Sequence, residues 1–403
     1  MKQIVKLLLS ISIFSILLTL TGCFDPIFYE IRKDVKPEKA TVSGNIPTIT
    51  RYKDYLVVSA DQGLRYKHAD NETHGSWSTY SLPFDLPSFN FDNTTIDGQQ
   101  LISVIANSDT LYILSVEYST TGADGMSVPS KVNLWGKQID NDFSSAGDWV
   151  LISEKTSKNL FPVSYNKDTG VVETSFNLFQ TNSPMNAHRH AYVCTYDSDS
   201  EKYKYYELNG TNAPVEITVA KTEDSNADSE NTDPATLIGR AYSAVYYQGE
   251  IKFFISTAVT TDETYTKEAN RIYYGDDSTL FSITGTTKHE IVELPSKISS
   301  IATCADAIIV GKGAVSEGGG GGGLARVRIV DGQPEESVSE FETNASFQIS
   351  EAYLVIALLN ATPERNETDS ALYAAITFFN KNGVYNNIGL WSYYPGRGNW
   401  NRE

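Results

Sequence analysis

Beyond residue 41 the chain shows almost no helical periodicity. Apolar residues recur instead in short alternating or continuous runs bounded by Gly, Asn, Asp and Pro, the pattern of β-strands and tight turns. Predicted strands over 46–52, 55–60, 63–67 and 77–82 make a first group, and 101–106, 110–116, 131–139 and 149–153 a second. A third covers 171–179, 191–196, 203–208 and 215–219; a fourth covers 241–247, 251–258, 271–274 and 290–294. Runs at 298–303, 307–310, 324–330 and 337–341 follow, then 353–359, 372–379, 389–394 and 399–401.

Six groups of about four strands predict an all-β chain folded as a single β-propeller over 42–403, with six blades favoured over seven. Tryptophan supports the repeat. Trp77, Trp149 and Trp400 each close a Gly-x-Trp, while Trp135 and Trp391 each follow a leucine in the preceding predicted strand. Gly63-Leu64-Arg65-Tyr66 before Gly75-Ser76-Trp77 matches Gly389-Leu390-Trp391-Ser392 before Gly398-Asn399-Trp400. Glycine permits the positive φ of a tight turn, and a large ring on the outer strand covers the gap between neighbouring blades. Three polar or low-complexity insertions, at 223–233, 317–323 and 363–370, are expected at blade edges.

The first 22 residues follow another pattern. Met1, Lys2 and Lys6 precede an apolar run from Leu7 to Leu20 that is too short to span a bilayer, which describes an export signal. Leu20-Thr21-Gly22-Cys23 resembles the lipobox of bacterial lipoproteins. That resemblance implies cleavage before Cys23, lipid attached to Cys23, a tether over 23–41, and a membrane partner held through the acyl chains. An ordinary secretory signal with a chance cysteine is the alternative. Phe24 stands where other bacteria place an Asp to retain a lipoprotein at the inner membrane, so the outer membrane is the expected location. With Cys23-Phe24-Asp25-Pro26 and a divergent propeller body, the chain resembles lipoproteins of spirochaetes.

Charge narrows the partners. Lys and Arg number 32 against 50 Asp and Glu, a net charge of −18, and loss of Lys2 and Lys6 with the signal leaves −20. Such a field repels nucleic acid and phospholipid head groups. Aromatic content of 11%, with 24 Tyr, fits strands carrying polar-tipped rings. Cys194 and Cys304 lie in apolar strand-like runs and suit either a disulfide or two buried core thiols. In a bacterium, the Asn-x-Ser/Thr sequences at Asn71, Asn93, Asn209, Asn344, Asn360 and Asn366 carry no eukaryotic glycosylation meaning.

Motifs for chemistry are few. The glycine run satisfies Gly-x-Gly-x-x-Gly trivially, but it leads into an alternating strand rather than a helix, so no nucleotide site is predicted. His188-Arg189-His190 puts two imidazoles on one face of an extended segment without a third metal ligand at recognisable spacing. Asp197-Ser198-Asp199-Ser200-Glu201 lacks the glycine and register of a calcium loop. His-Glu-x-x-His, Gly-x-Ser-x-Gly and a phosphate-binding Gly-Lys-Ser/Thr loop do not occur. The Gly-x-Trp units differ from the sialidase Asp-box, since Gly stands two before Trp and Glu72, Ser144 and Pro395 replace the aspartate. No Trp is followed by Asp, which excludes WD40 repeats.

The sequence therefore predicts a lipid-anchored envelope protein acting as a non-catalytic binding module for protein or glycan, with no cofactor, metal site or catalytic residue assigned. A glycan-active hydrolase on a propeller scaffold, or a structural component of envelope assembly, is the alternative. Tyr393, Tyr394, Arg397 and the His188/His190 pair are the candidate loop-proximal contacts.

Overall fold

Leu56, Val58 and Ala60 point to one side of their strand, Val57 and Ser59 to the other, and all five are buried. A strand covered on both faces loses its polar alternation, which is why 55–60 reads as a continuous apolar run. The computed structural model describes residue 42, most of 46–217, the strand backbones within 240–293, and the larger part of 298–403. These residues belong to one compact unit, Thr41–Glu403. The predicted signal, Cys23 and tether lie outside the described residues, as do the insertions at 223–233 and 363–370 and most of 317–323.

The described strands form successive antiparallel meanders. The first sheet runs Ile49–Tyr52, Tyr55–Ala60, Gly63–His68, Ser78–Tyr80; the second runs Gln99–Ala106, Thr110–Ser119, Val128–Gln138, Val150–Leu151. The fourth runs Ile298–Cys304, Ala307–Lys312, Gly323–Val330, Gln333–Glu340, and the fifth Tyr353–Asn360, Leu372–Phe379, Tyr385–Tyr394, Asn399–Arg402. Between them lies a third sheet of eight strands. It joins the meander Phe176–Asn182, Ala191–Asp197, Lys202–Glu207, Val215–Ile217 to the meander Arg240–Tyr247, Glu250–Ser256, Arg271–Tyr274, His289–Glu293.

Neighbouring sheets pack face to face. Val57, Leu64 and Tyr80 of the first meet Leu101, Val104, Leu111 and Ile113 of the second. Tyr112, Leu114 and Leu134 of the second meet Phe176, Val193 and Tyr206 of the third. Ala302, Ile309 and Leu324 of the fourth meet Val355, Leu358 and Leu372 of the fifth. The fifth then returns to the first, with Ala357, Leu359, Tyr373 and Leu390 against Ile49, Leu56, Val58 and Trp77. Face-to-face packing that comes back to its starting sheet is a single closed β-propeller.

The blade count is corrected. Instead of six or seven separate blades, the described residues form five sheets of four or more strands. The cause is a short parallel pairing, Thr181↔Ala244 and Asn182↔Val245, which fuses two of the expected strand groups along their first strands. A two-stranded ribbon, Val163–Asn166 with Val171–Thr174, also splits what the sequence presents as one strand over 171–179.

The glycine–tryptophan pattern has a clear structural basis. Gly63 opens the third strand of the first sheet and Gly389 lies within that of the fifth, where the register shifts, at φ of 102° and 106°, and the leucine after each is fully buried. Gly323-Leu324 repeats the device in the fourth sheet, where φ is 93°. The last glycine of the low-complexity run is thus part of the repeat. Each Gly-x-Trp ring packs towards the preceding sheet. Trp149 lies beside Tyr80, Trp77 beside Tyr373, and Trp400 in the cluster shared by the fourth and fifth sheets.

Candidate functional site

Strand direction places the turns after the first and third strands of every sheet on one face of the propeller. On that face, aromatic rings gather in the seam between the first and second sheets. Tyr55, Tyr66 and His68 share one side of the first sheet because their positions alternate along paired strands. Phe143, from the loop after the third strand of the second sheet, inserts among them. It stacks on Tyr66 at 4.5 Å and meets Tyr55 at 4.6 Å and Tyr80 at 5.1 Å. Trp149 extends the group, edge-on to Tyr80 at 6.4 Å. Phe143 and Tyr80 are buried, Tyr55, Tyr66 and Trp149 are half-buried, and His68 is exposed. The buried rings thus hold the half-open ones in fixed orientation.

A lysine lies within this group. Lys137 Nζ sits 5.0 Å from the centre of the Tyr80 ring and 5.5 Å from that of Trp149, and the residue is only 5% exposed. Rings attract a cation through their quadrupole but supply no counter-charge. Burial holds the ammonium pKa below the ordinary lysine range, while the charge of exposed Asp148 pulls it back up. No carboxylate among the described residues is within ion-pair distance of it. The Tyr80 hydroxyl is buried without a hydrogen-bond partner, and its pKa is raised by burial and then by Tyr66. Trp149 Nε1 donates to the Ser81 carbonyl at 3.3 Å.

The seam on the other side of the first sheet has the same parts and one more. Lys67 Nζ, also on a third strand, lies 5.4 Å from the Trp77 ring and 5.5 Å from that of Tyr373. Here Glu403 completes the cage. Its Oε2 accepts from Lys67 Nζ at 2.8 Å and from Trp77 Nε1 at 3.0 Å, and its Oε1 accepts from Ser392 Oγ at 2.7 Å. Both charged side chains are wholly buried.

Near the axis the same face is tied together by polar bonds. Gln180 reaches from the third sheet to the first, where its Oε1 accepts from Thr50 Oγ1 at 2.6 Å and Arg51 N at 3.2 Å, and its Nε2 donates to the Arg51 carbonyl at 2.7 Å. Arg51 Nε donates to the Lys53 carbonyl at 3.4 Å. Arg189 donates to the carbonyls of Ser183 and Lys53 at 3.0 and 2.7 Å, and the Tyr52 hydroxyl to those of Asp109 and Ile139, each at 2.8 Å. Both arginines thus tie backbone carbonyls together across the face, and Arg189 also donates to Asn186 Oδ1 at 3.1 Å.

The residues singled out by sequence fall elsewhere. His188 lies in a 3₁₀ turn, Asn186–His188, so the two histidines do not share a face of an extended segment. His190 Nδ1 is 2.9 Å from Glu207 Oε1, and its ring is parallel to that of Tyr192. Tyr394 is buried, its hydroxyl 2.7 Å from that of Tyr373, which makes it a core residue and not a contact; Tyr393 packs on Trp400. Arg397 lies outside the described residues.

Asp197 closes a turn. It accepts from Lys204, from Ser200 Oγ at 2.9 Å and from Asp199 N at 3.1 Å, and Lys204 first and Ser200 second lower its pKa to about 2. Among the described residues no group of three His, Cys, Asp or Glu is placed to hold a metal, and no helix is long and apolar enough to cross a membrane. Cys194 is a reduced, buried thiol, and the Cys304 side chain is outside the described set.

No protein-family profile matches the sequence, and no curated protein matches it. Among solved structures the chain is similar to a putative oxidoreductase (glucose dehydrogenase) from Thermus thermophilus, at 12% identity and a TM-score of 0.42, over 90% of this chain and 97% of that one. It is also similar to the PQQ-bound aldose sugar dehydrogenase of Streptomyces coelicolor, at 10% identity and a TM-score of 0.38, over 84% of this chain and 91% of that one. A GH43 endo-arabinanase from Bacillus licheniformis shares 12% identity at a TM-score of 0.29, over 77% of this chain and 99% of that one. Similarities this distant carry no functional argument.

Proposed function

We propose that this chain is a lipid-anchored envelope protein that binds a glycan, without cleaving it, on the aromatic seam between its first and second sheets. The observation that carries the reading is the fixed array of half-open rings, Tyr55, Tyr66 and Trp149, held by buried Phe143 and Tyr80. Preorganised aromatic faces offer apolar area to the C–H faces of a sugar at little entropic cost, and Tyr and Trp add polar tips. The anchor rests on the lipobox at Cys23, and Phe24 supports the outer membrane as its location.

Glycan-array binding of the chain from residue 24 onward tests the first part. Tyr55→Ala and Trp149→Ala each weaken retained glycans at least tenfold while the fold survives. Retention unchanged in both variants, or no glycan retained at all, rejects the reading. Release of new reducing ends from a retained glycan replaces it with a hydrolase. For the anchor, full-length protein in bacteria fed labelled palmitate incorporates the label and partitions with membranes, and Cys23→Ser loses both; label retained in Cys23→Ser removes the anchor.

A further inference from the structure

The two seams flanking the first sheet supply an internal control. In one, a third-strand lysine, a Gly-x-Trp ring and a tyrosine from the neighbouring sheet surround the carboxylate of Glu403. In the other, Lys137, Trp149 and Tyr80 repeat the lysine, the tryptophan and the tyrosine, and no carboxylate of the described chain is bonded to the lysine. We propose that the Lys137–Tyr80–Trp149 seat takes the carboxylate of an acidic sugar, a uronate in the bound glycan. This rests on the glycan reading above and names the class of ligand.

Three observations favour it. A buried ammonium without a bonded anion is costly, and an incoming carboxylate removes that cost. The Tyr80 hydroxyl, on the ring that the Lys137 ammonium faces at 5.0 Å, is buried without an acceptor among the described residues and is a neutral donor beside that charge. Finally, the seat carries a single positive charge, which matches a monoanion better than a phosphate dianion and acts locally against the repulsive field of a chain of net −18. The half-open Tyr55, Tyr66 and Trp149 rings adjoin the seat, where the rest of the sugar can stack.

The test uses the chain from residue 24 onward carrying ¹³C-labelled lysine, with the Lys137 signal assigned by its loss in Lys137→Met. Glucuronate shifts that signal saturably, and its methyl ester, which keeps the ring but lacks the charge, needs at least tenfold higher concentration. Tyr80→Phe, which preserves the ring packing, weakens glucuronate several-fold. Equal response to acid and ester, or a Lys137 signal that does not move, overturns the seat. Tetragalacturonate and its methyl ester then separate the two proposals. Tight binding of both oligomers with an unmoved Lys137 leaves the glycan reading and rejects the seat. A saturable glucuronate shift with no oligomer bound keeps the seat and rejects the glycan reading.

Discussion

The first sheet is flanked by two lysines in closely similar surroundings that meet different electrostatic ends. Lys67 has two rings and a bonded carboxylate; Lys137 has two rings and, among the described residues, none. The seam around Lys67 is internally complete and works as a joint. In the seam around Lys137, no described residue bonds the ammonium or the Tyr80 hydroxyl, and half-open rings lie beside them. Stability alone favours completing such a cage or filling it with apolar side chains. An incomplete cage is the arrangement expected where a ligand supplies the missing group.

The comparison is broken most forcefully at Glu403. Glu403→Ala removes the carboxylate bonded to the buried Lys67 ammonium and is expected to cost about 3–5 kcal/mol in denaturant unfolding. A Lys67→Met/Glu403→Leu double variant, which removes both charges, recovers most of that loss. If the single variant is as stable as the parent, the pair is not the joint described here.

Gly311 probes a seam where the described residues include no lysine caged by rings. A Cβ there would lie 2.6 Å from Val355 Cγ1 across the fourth and fifth sheets, so Gly311→Ala is expected to cost roughly 1–3 kcal/mol by overpacking. An unaffected midpoint would show that these sheets can separate freely.

Lys137→Met has the smallest expected effect on stability. It removes no bond to a described residue and is expected to change unfolding free energy by less than about 1 kcal/mol, or to raise it. The pH dependence has a definite sign. The folded pKa is below the ordinary 10.5, so the unfolded chain binds more protons between the two values. The penalty is fully present below the folded pKa and is relieved as pH rises towards 10.5. The parent should therefore gain on Lys137→Met over that interval, with Asp148, Tyr66 and Tyr80 common to both chains. A parent that loses ground as pH rises would show a paired lysine.

Much of the fold was legible because it is written locally. Strand runs, glycine turns and the Gly-x-Trp spacing lie within single sheets, and the predicted strands at 353–359, 372–379 and 399–401 fall within one residue of those observed. The fusion into an eight-stranded sheet was not legible. It depends on Thr181 and Asn182 pairing with residues more than sixty positions away, and parallel pairing leaves no turn signal between its partners. Gly323 was obscured by its low-complexity neighbours, though its φ and the buried Leu324 match Gly63-Leu64.

The candidate site was legible only as composition. Many tyrosines and no recognisable catalytic motif pointed to a binding surface, yet the residues singled out were those near turns. Tyr394 proved to be core and His190 bonded to Glu207. Lys67 and Lys137 look alike in sequence, each a basic residue in a strand. Their difference arises only when a third side chain arrives, and Glu403 is 336 residues from Lys67.

That separation also sets a timetable for the propeller. Sheets built from hairpins can form early and independently, but Lys67 stays a charged residue on an uncovered surface until Asn399–Arg402 docks and brings Glu403 beside it. Ring closure adds little entropic cost for each further doubling of chain length, yet it must await the slowest intervening sheet. Until then the apolar faces of the first and fifth sheets are both open to water. A chain stalled at that stage exposes Leu56, Val58, Leu359 and Leu390 together, which makes this junction the point of greatest vulnerability to aggregation during folding.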